Sequence, residues 1–256
     1  MKLSIVIPAY NEEARIGNTL NAYHSFFEKI YKDQFEIIVI MNGCKDNTLS
    51  VVKDFSNKHN KLRYLFIKEP VGKGGAIIEG FKVAKGDLTG FTDADNSTPP
   101  ESFNELIKNI NGYDCIIASR WIKDAIVEPK QPLKRRIASR LFNILIRSMF
   151  GIKVRDTQCG AKLLKKEAIK KINIGITSWA FDVDLLYQLK RNNLKIKEIP
   201  TIWRDAYGSK LNIPKASAEM FFALIRLRLV YSPFKGLIKV YDKMPESLKI
   251  HHYIYK

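Results

Sequence analysis

Phe91-Thr92-Asp93-Ala94-Asp95-Asn96-Ser97-Thr98-Pro99-Pro100 is the stretch on which the fold turns. A buried-looking run, Leu88–Asp93, ends in two carboxylates one residue apart, and a helical pattern led by proline, Pro100–Ile110, follows it. Side chains alternate along a strand, so Asp93 and Asp95 point the same way as the chain leaves the sheet. Two carboxylates on one side repel each other unless a cation lies between them. Hard oxygen donors suit Mg²⁺ or Mn²⁺, above all an ion that also bridges a diphosphate. A solvated turn with an aspartate helix cap would use the same residues, but the position after a buried strand favours the metal.

The same alternation extends outward. Leu3–Pro8, Phe35–Met41, Leu62–Ile67 and Asp114–Ser119 read as further buried strands rich in Ile, Val and Phe. Glu13–Tyr31, Asn47–Lys58 and Lys73–Ala84 have helical spacing, with Asn11 and Asp46 placed as opening caps. Strand–helix alternation predicts an α/β fold, a mostly parallel sheet with helices on both faces. Ligands of such sheets sit at the carboxyl ends of the strands. That rule selects Pro8–Glu12, Met41–Asp46, Glu69–Gly75 and Asp93–Pro99.

Beyond Arg120 the chain changes character. Trp121–Pro132 is polar with two prolines and reads as a loop. Lys134–Phe150 reads as an amphipathic helix with Arg136, Arg140, Asn143 and Arg147 on one stripe and Ile137, Leu141, Leu145 and Met149 on another. Ala180–Asn192 and Ala216–Tyr231 read as helices, and Leu194–Trp203 as a strand around Pro200. Residues 1–232 are expected to form one domain, with residues 1–119 and 120–232 as its halves and 233–256 as an amphipathic tail.

Charge divides along the same line. The 256 residues carry 43 Lys+Arg and 26 Asp+Glu, a net of +17, and all of the excess lies after residue 119. The second half is therefore expected to meet an anion. At 46% hydrophobic and 27% charged, the chain is not a disordered tail. No stretch approaches the ~20 charge-free apolar residues of a membrane span. The strand pattern in Met1–Ile7 leads us to expect no signal peptide. Cys44, Cys115 and Cys159 form no disulfide framework, which points to a reducing compartment. Cys159 has no histidine near it in sequence and reads as a packed thiol.

Val71-Gly72-Lys73-Gly74-Gly75-Ala76 can bring backbone amides and one lysine to a phosphate, although it is not a Walker A loop. A glycine-rich helix start would look the same. Arg120, Arg135 and Ser139 are candidate phosphate contacts, set against the plainer reading of a solvated basic face.

Taken together, Ile7-Pro8-Ala9-Tyr10-Asn11-Glu12, Asn42-Gly43-Cys44-Lys45-Asp46-Asn47-Thr48, Gly72-Lys73-Gly74 and Asp93-Ala94-Asp95 resemble, in order, the nucleotide-sugar half of glycosyltransferase family 2. Asp156-Thr157-Gln158-Cys159-Gly160, Trp179-Ala180-Phe181-Asp182 and Gly208-Ser209-Lys210-Leu211 look like motifs of members that glycosylate a polyprenyl phosphate, and Ile225–Tyr231 suits the dolichyl-phosphate glucosyltransferase branch. The resemblance implies a GT-A fold and inverting transfer from a nucleoside-diphosphate sugar. It implies Pro8, Tyr10, Glu12, Asn42 and Asp46 around the nucleoside, and Asp93 and Asp95 on Mg²⁺ or Mn²⁺ with Lys73 nearby. Arg120, Arg135 and Ser139 would hold the acceptor phosphate, and Arg204, Ser209 and Lys210 would close over the diphosphate. Asp156 and Asp182 are read as structural or orienting. Met41-Asn42 departs from the acidic pair of many relatives. Ser97, where mannosyl relatives often carry Gln, favours a UDP-sugar over GDP-mannose. The expected partners are the sugar nucleotide, dolichyl or polyprenyl phosphate, and the cytoplasmic face of an anionic membrane. A glycan acceptor is the alternative, and a nucleic-acid-binding role is disfavoured by the acidic Asp93/Asp95 edge.

Overall fold

The computed structural model describes residues 2–129, 132–173, 180–204 and 213–236, so Trp179, Ser209, Lys210 and the tail beyond 236 lie outside the described residues. In chain order the elements are β1 (Leu3–Ala9), α1 (Ile16–Tyr31), β2 (Phe35–Asn42), α2 (Thr48–Lys58), β3 (Leu62–Ile67), α3 (Gly72–Val83), β4 (Leu88–Phe91) and α4 (Pro100–Lys108). They continue with β5 (Cys115–Ser119), β6 (Ile126–Glu128), α5 (Leu133–Phe150), β7 (Lys162–Lys165), α6 (Lys166–Lys170), α7 (Phe181–Arg191), β8 (Ile196–Pro200), β9 (Ile202–Arg204) and α8 (Ile213–Val230).

Seven strands form one sheet in the order β3-β2-β1-β4-β7-β5-β8, and only β7 runs antiparallel to its neighbours. β1 and β2 are buried at every position, as apolar runs without alternation require of strands covered on both faces. Their successive side chains feed two cores. Ile5, Ile7, Ile37 and Val39 meet Tyr23 and Phe27 of α1 and Phe103 of α4. Val6, Ile38 and Ile40 meet Ile77 of α3, Ile146 of α5, Leu185 of α7 and Leu224 of α8. Each such aliphatic side chain contributes roughly 1.5–3 kcal/mol on full burial.

The sequence reading needs several corrections, the first at β3, which was expected to be buried but forms the edge of the sheet with Tyr64, Leu65 and Phe66 exposed. β7 was not foreseen, because Lys162-Leu163-Leu164-Lys165 is short and bounded by charges, yet its register places Leu163 opposite both Gly90 and Ile116. The strand expected over Leu194–Trp203 breaks at Thr201: β8 completes the main sheet, while β9 pairs with β6 in a separate two-stranded sheet. That pairing also gives the expected 121–132 loop a strand of its own. Asn11 does not cap α1; it has φ +53° and its Oδ1 accepts from the Lys45 amide at 2.8 Å.

The stripes of α5 are also turned from their expected orientation. Asn143, expected beside the exposed arginines, is buried and its Nδ2 donates to Thr157 Oγ1 at 3.2 Å. Ile137 and Leu141 face outward, Leu141 with 62% of its surface exposed, and Leu145 and Met149 pack on the second core. On α8, Leu224 and Leu227 are buried while Phe221 and Phe222 stay exposed. No described helix is long and apolar enough to cross a membrane.

Candidate active site

A cleft of about 380 Å³ opens at the carboxyl ends of β1, β2 and β4, lined by Pro8, Ala9, Tyr10, Glu12, Asn42, Pro70, Gly72, Lys73, Asp93, Ala94 and Asp95. Several lining groups are positioned by identifiable local devices. Gly43 takes φ +62° and a Cβ there would lie 2.9 Å from Pro70 Cβ, so the β2 exit needs glycine. That turn leaves Asn42 buried, with its Nδ2 3.3 Å from the Ala9 carbonyl it donates to. An aspartate at 42 could not make that bond, which gives the departure from the acidic pair a local role.

The Thr92–Asp95 segment is pinned from α1. Thr19 Oγ1 donates to the Ala94 carbonyl at 2.7 Å, and Tyr23 Oη donates to the Thr98 carbonyl at 2.7 Å. Asn96 takes φ +57°, and the Ser97 amide closes the turn onto Asp95 Oδ1 at 3.0 Å. From the far side, the Arg204 amide on β9 donates to the Ser97 carbonyl at 2.8 Å. Asp93 and Asp95 are thereby held on a braced loop rather than a free one.

Charge is concentrated around these two carboxylates. Lys73 Nζ contacts Asp93 Oδ1. Burial alone would push the Asp93 carboxyl up, but Lys73, Lys162 and Arg120 outweigh it and hold the group below the usual carboxylate range. Glu12 moves the other way: burial raises it, against the opposing charge and hydrogen bonds of Arg15. Arg15 grips Glu12 with two bonds of 2.8 Å and lies 4.0 Å from Asp95 Oδ2.

A second cluster flanks the first. Arg120 donates from Nε and Nη2 to Asp156 at 2.8 and 3.0 Å, and the Arg120 amide donates to the same carboxylate at 2.9 Å. The Trp203 ring, 5.2 Å away, forms the floor under the guanidinium. Burial pushes the Asp156 carboxyl up, yet the Arg120 charge and bonds bring it net below its ordinary value. Asp156 takes Nε and Nη2 of Arg120, and among the described residues no hydrogen bond engages Nη1, whose donors suit an oxyanion. Lys162, which is fully buried, donates to Asp182 Oδ1 at 2.5 Å and to the Cys159 carbonyl at 2.8 Å. A Cβ on Gly160 would fall 1.8 Å from Asp93 Oδ2. β7 is what brings these residues beside β4.

Of the residues expected at the site, Pro8, Tyr10, Glu12, Asn42, Lys73, Asp93 and Asp95 share the cleft. Asp46 does not line it; its carboxylate is used locally, accepting from the Thr48 amide at 3.0 Å and the Glu13 amide at 3.1 Å. Arg135 and Ser139 lie one turn apart on α5, on the inward stripe that leads to Asn143. Arg204 presents its backbone to the Ser97 turn and exposes its side chain. Arg15, Gly160 and Lys162 were missed. Gly160 and Lys162 stand within or just after a motif that had been noticed, but their reach toward Asp93 depends on the unforeseen strand.

Among the described residues no group of three or more His, Cys, Asp and Glu side chains suits a metal ion. The pair Asp93 and Asp95 nevertheless fits a hard divalent cation. Such ions commonly take one or two carboxylates and complete their shell with substrate phosphates and water. The buried Asn96 Oδ1, next in sequence, is a further hard oxygen with no hydrogen-bond partner among the described residues.

Comparison with known proteins agrees with this geometry. The chain is 33% identical over 244 residues to a dolichyl-phosphate beta-glucosyltransferase of Dictyostelium discoideum, covering 90% of this chain and 74% of that one. It is 32% identical to the enzyme of the same name from Saccharomyces cerevisiae, covering 90% and 75%. In structure it is similar to glucosyl-3-phosphoglycerate synthase of Mycobacterium tuberculosis, solved with Mn²⁺, UDP and product, with a TM-score of 0.68 at 20% identity over 88% of this chain and 78% of that one. The mostly parallel sheet with helices on both faces is the GT-A architecture. Residues 4–173 match the family described as Glycosyl transferase family 2. With that match across two thirds of its length and the cleft built from the same segments, the chain belongs to glycosyltransferase family 2.

Proposed function

We propose that this glycosyltransferase moves glucose, with inversion, from UDP-glucose to the phosphate of dolichyl or another polyprenyl phosphate. The observation that carries the reading is the adjacency of a carboxylate pair fit for a divalent cation, Asp93 and Asp95 with Lys73 beside them, and the Arg120 guanidinium backed by Asp156 and Trp203. The names of the relatives, dolichyl-phosphate beta-glucosyltransferases, supply the sugar and the acceptor.

Pro8, Tyr10, Glu12 and Asn42 would hold the nucleoside, and the first amides of α3 with Lys73 would face the diphosphate. Asp93 and Asp95 would hold Mg²⁺ or Mn²⁺. A divalent ion supplies Lewis-acid stabilisation of charge on the leaving diphosphate. Arg120, whose guanidinium is locked by Asp156, would orient the acceptor phosphate, with Arg135 and Ser139 as further candidates for its oxygens. A phosphate monoester has a second pKa of about 6, so near pH 7 the acceptor is largely a dianion and its oxygen attacks without a protein base. The protein's task is then to bring two anions together and keep their geometry. Asp156 would act through Arg120, and Asp182 through Lys162.

A polyprenyl tail requires approach to a bilayer. The exposed Leu133, Ile137, Leu141 and Ile144 of α5, flanked by Arg136, Arg140 and Arg147, together with Phe221 and Phe222 of α8, suit a peripheral position on the anionic cytoplasmic face. Flotation with phosphatidylserine vesicles tests this; protein that stays wholly at the bottom of the gradient refutes it. The transfer reading is tested with a donor panel of UDP-glucose, UDP-N-acetylglucosamine and GDP-mannose against polyprenyl phosphate. Nucleotide release with UDP-glucose alone is the expected result, and release with GDP-mannose alone overturns the donor assignment.

A further inference from the structure

We propose that Lys73 is the resident counter-cation of the metal site, competing with the divalent ion for Asp93 until a nucleoside diphosphate draws its ammonium away. The proposal rests on the reading of Asp93 and Asp95 as the ion's ligands. Lys73 Nζ engages Asp93 Oδ1, on one of the two carboxylates that would hold the ion. The charges of Asp95 and Asp182 favour the ammonium there as well, beside its contact with Asp93. The ammonium already neutralises Asp93 and would repel a second cation beside it, so an ion arriving alone binds against the lysine's charge.

The structure also provides the lysine with somewhere to go. Lys73 is the second residue of α3, a helix of 12 residues whose first turn, Gly72-Lys73-Gly74-Gly75, opens on the cleft. Gly72 takes φ +72°, which sets the chain's entry into the helix. A diphosphate at that end would meet the helix amides and offer the lysine a new anionic partner. The Lys73 side chain is 41% exposed, and its flexible four-carbon stem can turn from carboxylate to phosphate by rotamer change, with the backbone fixed.

Two consequences follow. The metal alone binds weakly, and nucleotide and metal bind with synergy, because the diphosphate removes the metal's competitor. By linkage the metal strengthens nucleotide binding by the same factor. Without nucleotide, Lys73 would again hold Asp93 and weaken the site for a divalent ion.

The test is Mn²⁺ titration followed by electron paramagnetic resonance of the free ion, on the full chain, with and without UDP. Wild type is compared with Lys73→Met, Lys73→Arg and Asp93→Asn, each checked for folding by its thermal melt. Without UDP, Lys73→Met should bind Mn²⁺ at least about tenfold more tightly than wild type, the scale on which a contacting charge shifts an ionic equilibrium. The gain in Mn²⁺ affinity on adding UDP should shrink in Lys73→Met and persist in Lys73→Arg. Equal or weaker Mn²⁺ binding by nucleotide-free Lys73→Met overturns the proposal while leaving the metal reading intact. Absence of Mn²⁺ binding by wild type even with UDP overturns the metal reading itself, and the proposal with it. Lys73→Gln serves as the second variant should Lys73→Met fail to fold.

Discussion

Gly160→Ala isolates the geometry of the site from the stability of the fold. The alanine Cβ would lie 1.8 Å from Asp93 Oδ2 and 2.5 Å from its Cγ. Carbon and oxygen rest at roughly 3.3 Å or more when unbonded, so the carboxylate must retreat by about 1.5 Å. The atom that must give is the end of a side chain rather than backbone. Overpacking of this kind typically costs about 1–3 kcal/mol, and the protein should fold with a melting temperature lowered by a few degrees. Catalysis should suffer far more, because a displacement near 1 Å of a positioning group costs on the order of 10²-fold. The assay is UDP release from UDP-glucose with polyprenyl phosphate, read beside thermal melts of both proteins. A folded Gly160→Ala enzyme that keeps kcat within about threefold of wild type would refute the placement of Asp93 at the reacting end of the cleft. So would a variant that fails to fold, since the backbone rather than the carboxylate would then have yielded.

Further outcomes follow from the buried charges and thiols. Asp156→Ala leaves the Arg120 guanidinium buried without its partner and should destabilise the protein by about 3–5 kcal/mol in urea unfolding; a loss under about 1 kcal/mol contradicts the pair's geometry. Glu36 is buried, which alone would raise its carboxyl, but Ser4, the Lys85 amide and Arg63 outweigh burial and hold it low. That contribution is present above the unfolded value near 4.5 and is lost as pH falls through the lower folded value, so stability should drop on acidification. Glu36→Gln should flatten the acid limb of the urea midpoint plotted against pH, and an unchanged slope would count against it. Burial pushes the Cys115 and Cys159 thiols up to about 12 and about 11, and both are enclosed, whereas Cys44 is half-buried. Ellman's reagent should therefore titrate one thiol of the native protein and three after unfolding; three fast thiols in the native state would contradict the packing.

Much of the fold was legible because its strands are continuous apolar runs and its helices follow a period of 3.6 residues. The cleft was legible for a related reason: parallel strands put their carboxyl ends on one edge, so Pro8, Asn42 and Asp93 had to converge. What stayed hidden depends on long-range pairing. Lys162 has the pattern of a surface residue, and only the insertion of β7 between β4 and β5 turns it into a buried counter-charge. Gly160 likewise carries no sign in its neighbours that it touches Asp93. The rotation of α5 was misread because periodicity fixes which residues share a face, not which face meets the core; Asn143 is drawn inward by Thr157, a partner 14 residues away.

The most direct measurement of the central claim is transfer of radiolabelled glucose from UDP-glucose into the organic phase with polyprenyl phosphate as acceptor, by wild type and by Asp95→Ala, with and without EDTA. The account predicts an acid-labile glucosyl lipid made by wild type, lost on addition of EDTA, restored by excess Mg²⁺ or Mn²⁺, and not formed by Asp95→Ala. Label transfer that persists unchanged in EDTA or in Asp95→Ala, or UDP release without label in the lipid, would contradict it.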